Sequence, residues 1–259
     1  MKPLPSKLKP FFTPGARVVE TGESAWRLEI SPGIRNRYRV AQLDDYGSAP
    51  RRAFPWQPPF HLELHSRASD PAIPGTWGFG LWNDPFSMTL LSGAEVLRLP
   101  ALPNAVWFFH ATPPSYLSLR DDLPAQGWLA ATFRSAPLPP SLLALSAPAL
   151  PLLAVPPTVR WVRRQARRFV NQDATQIAVD VTLWHHYCLD WQATQVTFLV
   201  DDQVVLETAV SPLGPLGLVV WVDNQYLTFD PTGRVRFGKL PSLGPAWIEV
   251  RELLCLTSP

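Results

Sequence analysis

The sequence predicts an all-β sandwich or barrel, and three observations carry that reading. Apolar and polar residues alternate in short runs, proline, glycine or aspartate punctuates the runs, and about ten or more of them recur along the chain. The 30 prolines exclude an ordinary helical bundle.

Taken in order, Trp26, Leu28 and Ile30 point one way while Arg27 and Glu29 point the other. Phe60, Leu62 and Leu64 oppose His61, Glu63 and His65 in the same manner. The β pattern lapses over residues 137–173, where Val159, Val162, Ala166, Phe169 and Val170 recur at helical spacing, predicting a helical segment inserted in a single domain of residues 1–259. Ile177, Val179 and Val181 alternate again. Val196, Phe198 and Val200 run into Asp201 and Asp202, a tight turn before Val204–Leu206, which reads as a hairpin. The nearly unbroken apolar run Gly217–Val222 predicts a strand covered on both faces, and Ala246–Leu256 predicts a closing strand.

With 46% apolar and 17% charged residues in 259 positions, the chain can bury a sizeable core and is not a disordered one. A net charge of +2 implies no partner by itself. Cys188 and Cys255 are too few for a disulfide framework and read as small core residues. The start MKPLPSKLKPFF lacks the apolar stretch of a secretory signal, and the tract Leu142–Pro157 is proline-broken and shorter than a bilayer span, so the default expectation is a cytoplasmic protein. No phosphate-binding or dinucleotide glycine motif, nucleophile elbow or metal-ligand cysteine cluster appears, and no cofactor is expected.

Two segments carry a family resemblance. WHHYCLDWQATQVTFLVDDQVV, Trp184–Val205, resembles the strand–turn–strand W-H-x-Y-x-x-x-W…V-D-G of family 16 glycoside hydrolases and the wider concanavalin A-like lectin/glucanase superfamily, with His186 and Tyr187 adjacent where the family spaces them by one. FHLELHSRASDPAIPGTWGFGLW, Phe60–Trp82, is similar to the family's strand, loop and G-T-W-x-x-x-x-W segment, and the strand from Trp247 is a weaker third match. The resemblance implies a jelly-roll sandwich of two antiparallel sheets whose concave face carries a sugar-binding cleft. Hydrolytic members carry E-x-D-x-E or E-x-D-x-x-E on the strand after G-T-W, one carboxylate as nucleophile and another as general acid about 5 to 5.5 Å away. Here the corresponding strand reads AVWFFHA, Ala105–Ala111, and no acid lies between Glu95 and Asp121. Retaining hydrolysis at that position is therefore not expected.

What remains is recognition of a carbohydrate or similar polyol-bearing ligand, because indole rings stack on the C–H faces of a pyranose while polar groups meet its hydroxyls. Trp77, Trp82, Trp107 and Trp221 are the candidate platforms, and Asn83, Asp84, His110, Asp223 and Asn224 the candidate polar contacts. The alternative is a glycoside hydrolase with relocated acids, for which Glu63 and Asp84 are the catalytic candidates. A third class is a membrane-surface or partner-binding module built on Arg160, Arg163, Arg164, Arg167 and Arg168; nucleic acid is not expected. His61, Glu63 and His65 share a strand face, but no third and fourth ligand can be assigned from spacing, so no metal site is expected.

Overall fold

A computed structural model describes residues 8–34, 37–85, 98–139, 141 and 147–257, and residues 142–146 of the proline-broken apolar tract lie outside them. Among the described residues there are sixteen strands. The first five are β1 (Lys9–Phe12), β2 (Ala16–Gly22), β3 (Ala25–Ile30), β4 (Val40–Asp44) and β5 (Phe60–Ala68). Then come β6 (Thr76–Trp82), β7 (Ala105–Ala111), β8 (Gly127–Ser135), a short 3-10 segment Ala147–Ala154 and the helix α1 (Pro156–Ala166). The remainder is β9 (Val170–Gln176), β10 (His185–Trp191), β11 (Val196–Val200), β12 (Gln203–Thr208), β13 (Gly217–Asp223), β14 (Gln225–Phe229), β15 (Val235–Lys239) and β16 (Ala246–Thr257).

Fourteen of these strands form the two seven-stranded antiparallel sheets of a jelly-roll sandwich. The first sheet runs β1-β4-β13-β6-β7-β8-β9, the second β12-β11-β10-β5-β16-β3-β2, and β14 pairs with β15 as a separate hairpin. Alternation builds the core directly. In β5 every even-numbered residue from Phe60 to Ala68 is buried, and in β10 Tyr187, Leu189 and Trp191 turn the same way. They meet Phe79 and Phe108 of the first sheet, Phe108 lying edge-on to Tyr187 at 5.0 Å and to Phe198 at 5.2 Å. Asp201 and Asp202 both take positive φ, 48° and 62°, as a two-residue turn matching the twist of β11 and β12 requires. The apolar run in β13 is buried on both faces because the first sheet is covered on both sides.

Two expectations shift. Ile177 and Val181 are buried as their alternation predicts, but this stretch is irregular, and the strand lies just before it as β9, paired with β8. The helical spacing predicted through Val170 ends at Ala166, because Val170 opens β9. Two prolines start α1, where a missing N–H costs nothing, and Arg163 and Arg164 occupy its negative end. The arginines do not form one solvated stripe: Val159 and Arg163 turn inward, and Arg163 donates to the carbonyls of Ser118, Leu119 and Phe229 and to Asp121 Oδ1 at 2.8 Å. Arg167 also reaches Asp121, leaving Arg160, Arg164 and Arg168 exposed. Val159 and Val170 are spent on the protein body, whereas Phe169 and Trp161 stay exposed. Among the described residues no helix is long and apolar enough to cross a membrane.

Because Arg163 closes three backbone acceptors that its removal leaves buried, Arg163→Met is expected to lower stability by about 2 to 4 kcal/mol. Exposed Arg164→Met should change it by less than about 0.5 kcal/mol. Urea denaturation of the two variants checks this contrast.

Candidate functional site

The outer face of the first sheet holds a second aromatic cluster, separate from the core between the sheets. Register explains its composition. One row across the sheet reads Gln42, Trp221, Gly78, Phe109, and the next reads Asp44, Val219, Gly80, Trp107. The glycines of β6 stand between the rings of β13 and β7 and give them room. A Cβ at Gly78 would lie 2.2 Å from the Phe108 carbonyl and 3.0 Å from the Trp221 ring, and one at Gly80 2.5 Å from the Trp107 Cα. With those side chains absent, Trp107 stacks on Phe109 at 5.4 Å and leans on Trp221 at 5.6 Å and Trp82 at 5.8 Å.

These rings line a pocket of about 280 Å³ between the sheet and the β14–β15 hairpin. Trp82, Trp107, Phe109, Val219 and Trp221 make its sheet side, and Tyr226, Leu227 and Phe237 its hairpin side. Tyr46, Phe54, Leu119 and Leu123 pack on the rest of the aromatic cluster, so the expected open cleft is narrowed to this pocket. Trp107 and Trp221 are each 8% exposed and offer only part of each ring, whereas Phe237 stands 76% exposed.

Polar groups gather at one side. Thr76 Oγ1 accepts from Trp221 Nε1 at 3.1 Å and donates to Asp223 Oδ1 at 2.9 Å. The same oxygen accepts from the Thr76 and Gln225 amides, and Asp223 Oδ2 accepts from the Tyr38 hydroxyl at 3.3 Å. Burial pushes the Asp223 carboxyl up to about 6 against the lowering by these donors, and burial and the Asp223 charge push the Tyr38 hydroxyl up. Gln42 and Gln225 complete this edge. Trp107 Nε1 has no hydrogen-bond partner among the described residues, which leaves a buried donor for a ligand acceptor.

The structure brings Trp82, Trp107, Trp221 and Asp223 together and separates the other predicted contacts from them. Trp77 and His110 face the interior between the sheets: Trp77 is 1% exposed and stacks on His110 at 5.2 Å and on Trp128 at 4.2 Å. Burial lowers His110 to about 4, so it is a neutral core ring rather than a polar contact. Asn83 is tied to Leu102 and Asn104, and Asn224 bridges the backbone of Arg37, Arg39 and Leu240. Asp84 forms a buried ion pair with Arg98 at 2.8 Å. Glu63 lies on the outer face of the second sheet, whereas Asp84 follows the end of β6 in the first, so the two acids considered for hydrolysis belong to different parts of the sandwich. Among the described residues that line the pocket, Asp223 is the only carboxylate.

Parity in the sequence separates some of these already. Trp107 and His110 are three residues apart on one strand and Trp77 and Trp82 five apart, so each pair must face opposite ways. The bare face of TWGFGLW, with glycines at alternate positions, was a further signal of a site. Tyr38, Gln42, Tyr226 and Phe237 carried no local signal, since the fold delivers them from distant segments.

No protein-family model matches the chain, and no curated protein matches it. Solved structures do. A GlcNAcα1-4Gal-releasing endo-β-galactosidase from Clostridium perfringens aligns with TM-score 0.45 and 10% identity over 93% of this chain. A Bacillus licheniformis β-glucanase aligns with TM-score 0.44 and 9% identity over 99% of this chain and 100% of its own. A Bacteroides ovatus mixed-linkage glucan GH16 protein, in complex with its product, aligns with TM-score 0.47 and 10% identity over 93% of this chain and 85% of its own. The chain spans 54% of the galactosidase's length and 17% of that of a matched sialidase.

Proposed function

We propose that the chain is a carbohydrate-recognising protein that binds a saccharide or similar polyol ring in this pocket without hydrolysing it there. The observation that carries the proposal is the combination of three converging indoles, Trp82, Trp107 and Trp221, with a polar edge that includes a single carboxylate. Rings of this kind cover the C–H face of a sugar, and Gln42, Gln225 and the unpartnered Trp107 Nε1 suit its hydroxyls. Glycoside hydrolysis needs two carboxyl groups flanking the bond, and Asp223 is already held by Thr76, Gln225 and Tyr38. At about 280 Å³ the pocket is at the small end for ligand sites and takes a terminal ring or short unit rather than a chain laid along the sheet.

Calorimetric titration with mono- and oligosaccharides, guided by a glycan array, tests this. Saccharide binding is expected, with Trp107→Ala and Trp221→Ala each weakening it at least tenfold, about 1.4 kcal/mol. No reducing ends should appear on laminarin or lichenan. A folded chain that binds no saccharide overturns the proposal. The apolar walls Val40, Phe109, Leu117 and Leu227 favour a second reading, a less polar small ligand. Displacement of an apolar fluorescent probe by such compounds, with no displacement by sugars, would decide for it.

A further inference from the structure

The outer face of the second sheet, on the far side of the sandwich from the pocket, gathers histidine, cysteine and carboxylate side chains from two strands. Alternation sends His61 and Glu63 of β5 outward, and the antiparallel register sets Cys188 of β10 opposite Glu63, with His186 two residues before it. Pairing thereby supplies the ligands that spacing along β5 could not. The absence of a metal site expected from the sequence is revised on this geometry.

We infer that His61, Glu63, His186 and Cys188 form a binding site for a first-row transition-metal ion of the zinc kind, clamping β5 to β10. One ligand atom from each of His61, Glu63 and Cys188 lies within 4.8 Å of the others. His186 Nε2 joins them, 2.9 Å from Glu63 Oε1 and 3.5 Å from Cys188 Sγ, while His61 Nε2 is 3.5 Å from Glu63 Oε2. Donors bound tetrahedrally at 2.0 to 2.3 Å stand about 3.3 to 3.8 Å apart. The Glu63–His186, Cys188–His186 and His61–Glu63 pairs, at 2.9, 3.5 and 3.5 Å, are near that spacing.

The second observation is how the imidazoles are held. His61 Nδ1 meets Asp190 Oδ1 at 2.7 Å, and His186 Nδ1 lies 3.5 Å from Asp202 Oδ1. At His61 the carboxylate takes the Nδ1 side and leaves Nε2 for the shared centre, the arrangement that orients metal-bound histidines, while Asp202 only lies near the Nδ1 side of His186. A thiolate and two imidazoles select zinc, cobalt or copper over calcium and magnesium, which take oxygen ligands. The thiolate and Glu63 balance the two charges of the ion, and binding releases the Cys188 proton to solvent. All four groups are partly exposed, so the ion enters directly from water.

The test is titration of the chelator-treated full chain with cobalt(II), then zinc competition. Expected are binding at a single site per chain, the intense visible bands of a four-coordinate ion and a thiolate-to-cobalt charge-transfer band that zinc abolishes. Cys188→Ser should lose the charge-transfer band, and His61→Ala should weaken binding at least tenfold. Asp190→Asn, which acts on the Nδ1 side of His61, should weaken it about 10- to 100-fold while keeping the band. The positions are on the surface, and circular dichroism of each variant verifies its fold. A folded wild-type chain that binds no cobalt, or a Cys188→Ser variant with an unchanged spectrum, overturns the assignment.

Discussion

Arg98→Met is expected to lower the unfolding free energy by about 3 to 5 kcal/mol, one of the two largest effects foreseen for this protein. Arg98 and Asp84 are 5% and 2% exposed, and their ion pair spans 2.8 Å. The guanidinium also donates to the carbonyls of Tyr46, Gly47 and Ala49, and it stacks 5.2 Å from the centre of Phe54. Removing it takes away the cation paired with a buried carboxylate and the donor to the Gly47 and Ala49 carbonyls, while the Tyr46 carbonyl keeps the Ala49 amide. Because both kinds of loss count, Arg98→Met with Asp84→Leu should recover only the part due to the broken ion pair. Urea denaturation of the wild type, both single variants and the double variant measures the split. A single-variant loss below about 1 kcal/mol would show that the pair does not hold this end of the sheet.

Stability is expected to fall as pH rises from about 4 to about 8. Burial raises Asp45 to about 7 despite hydrogen bonds from Trp56 Nε1 at 2.5 Å and the Leu218 amide at 2.9 Å, and the neighbouring Asp44 charge adds to the rise. Asp223 is raised to about 6, with Tyr38 its nearest titratable neighbour. For an acid raised on folding, the folded state binds more protons than the unfolded chain between the two pKa values. The contribution is complete below the unfolded value of 3.8 and is lost as pH climbs through 6 and 7, at about 1.4 kcal/mol per unit for each group. Surface acids held low, such as Asp180 by the Thr182 hydroxyl and Asp122 by Arg120, titrate below this window. His110, lowered by burial from 6.5 to about 4, works the other way between those values and offsets one of the two carboxyls there, so the net fall is shallower below about pH 6.5 than the two acids alone would give.

Asp223→Asn is the clean check of that slope. Its carbonyl oxygen can keep the Thr76 and Gln225 donors, and its amide can donate to the Tyr38 hydroxyl, so the contacts survive while the titration disappears. Thermal unfolding midpoints between pH 4 and pH 8 should decline less steeply in the variant. Equal slopes in the two proteins would remove Asp223 from the pH dependence.

The strands from Phe60, Trp26 and Val196 were legible because a sheet with one buried face prints its alternation into the chain, and the strand from Gly217 because burial on both faces prints an unbroken apolar run. So was the hairpin at Asp201 and Asp202, whose turn chemistry is local. β9, reading VNQDATQ, was not legible: Val170, Gln172 and Ala174 are the buried set, and Gln172 is satisfied by Ser118 and the Leu119 amide rather than by being apolar. Nor could local pattern show that Arg163 and Arg98 are interior residues, since their acceptors come from segments 42 to 66 and 14 to 52 positions away.

Residue order alone determined the all-β class, the two-sided burial of β13 and the want of an acidic motif in Ala105–Ala111, because each depends on neighbours one or two positions apart. Tertiary structure decided which tryptophans meet. Trp82, Trp107 and Trp221 come from three strands whose register sets their rings around Gly78 and Gly80, while Trp77 is turned into the core. The same pairing brings Cys188 opposite Glu63. Such contacts as Trp107 with Trp221 and Cys188 with Glu63 join residues separated by more than a hundred positions, and only the closed sheet fixes their distance.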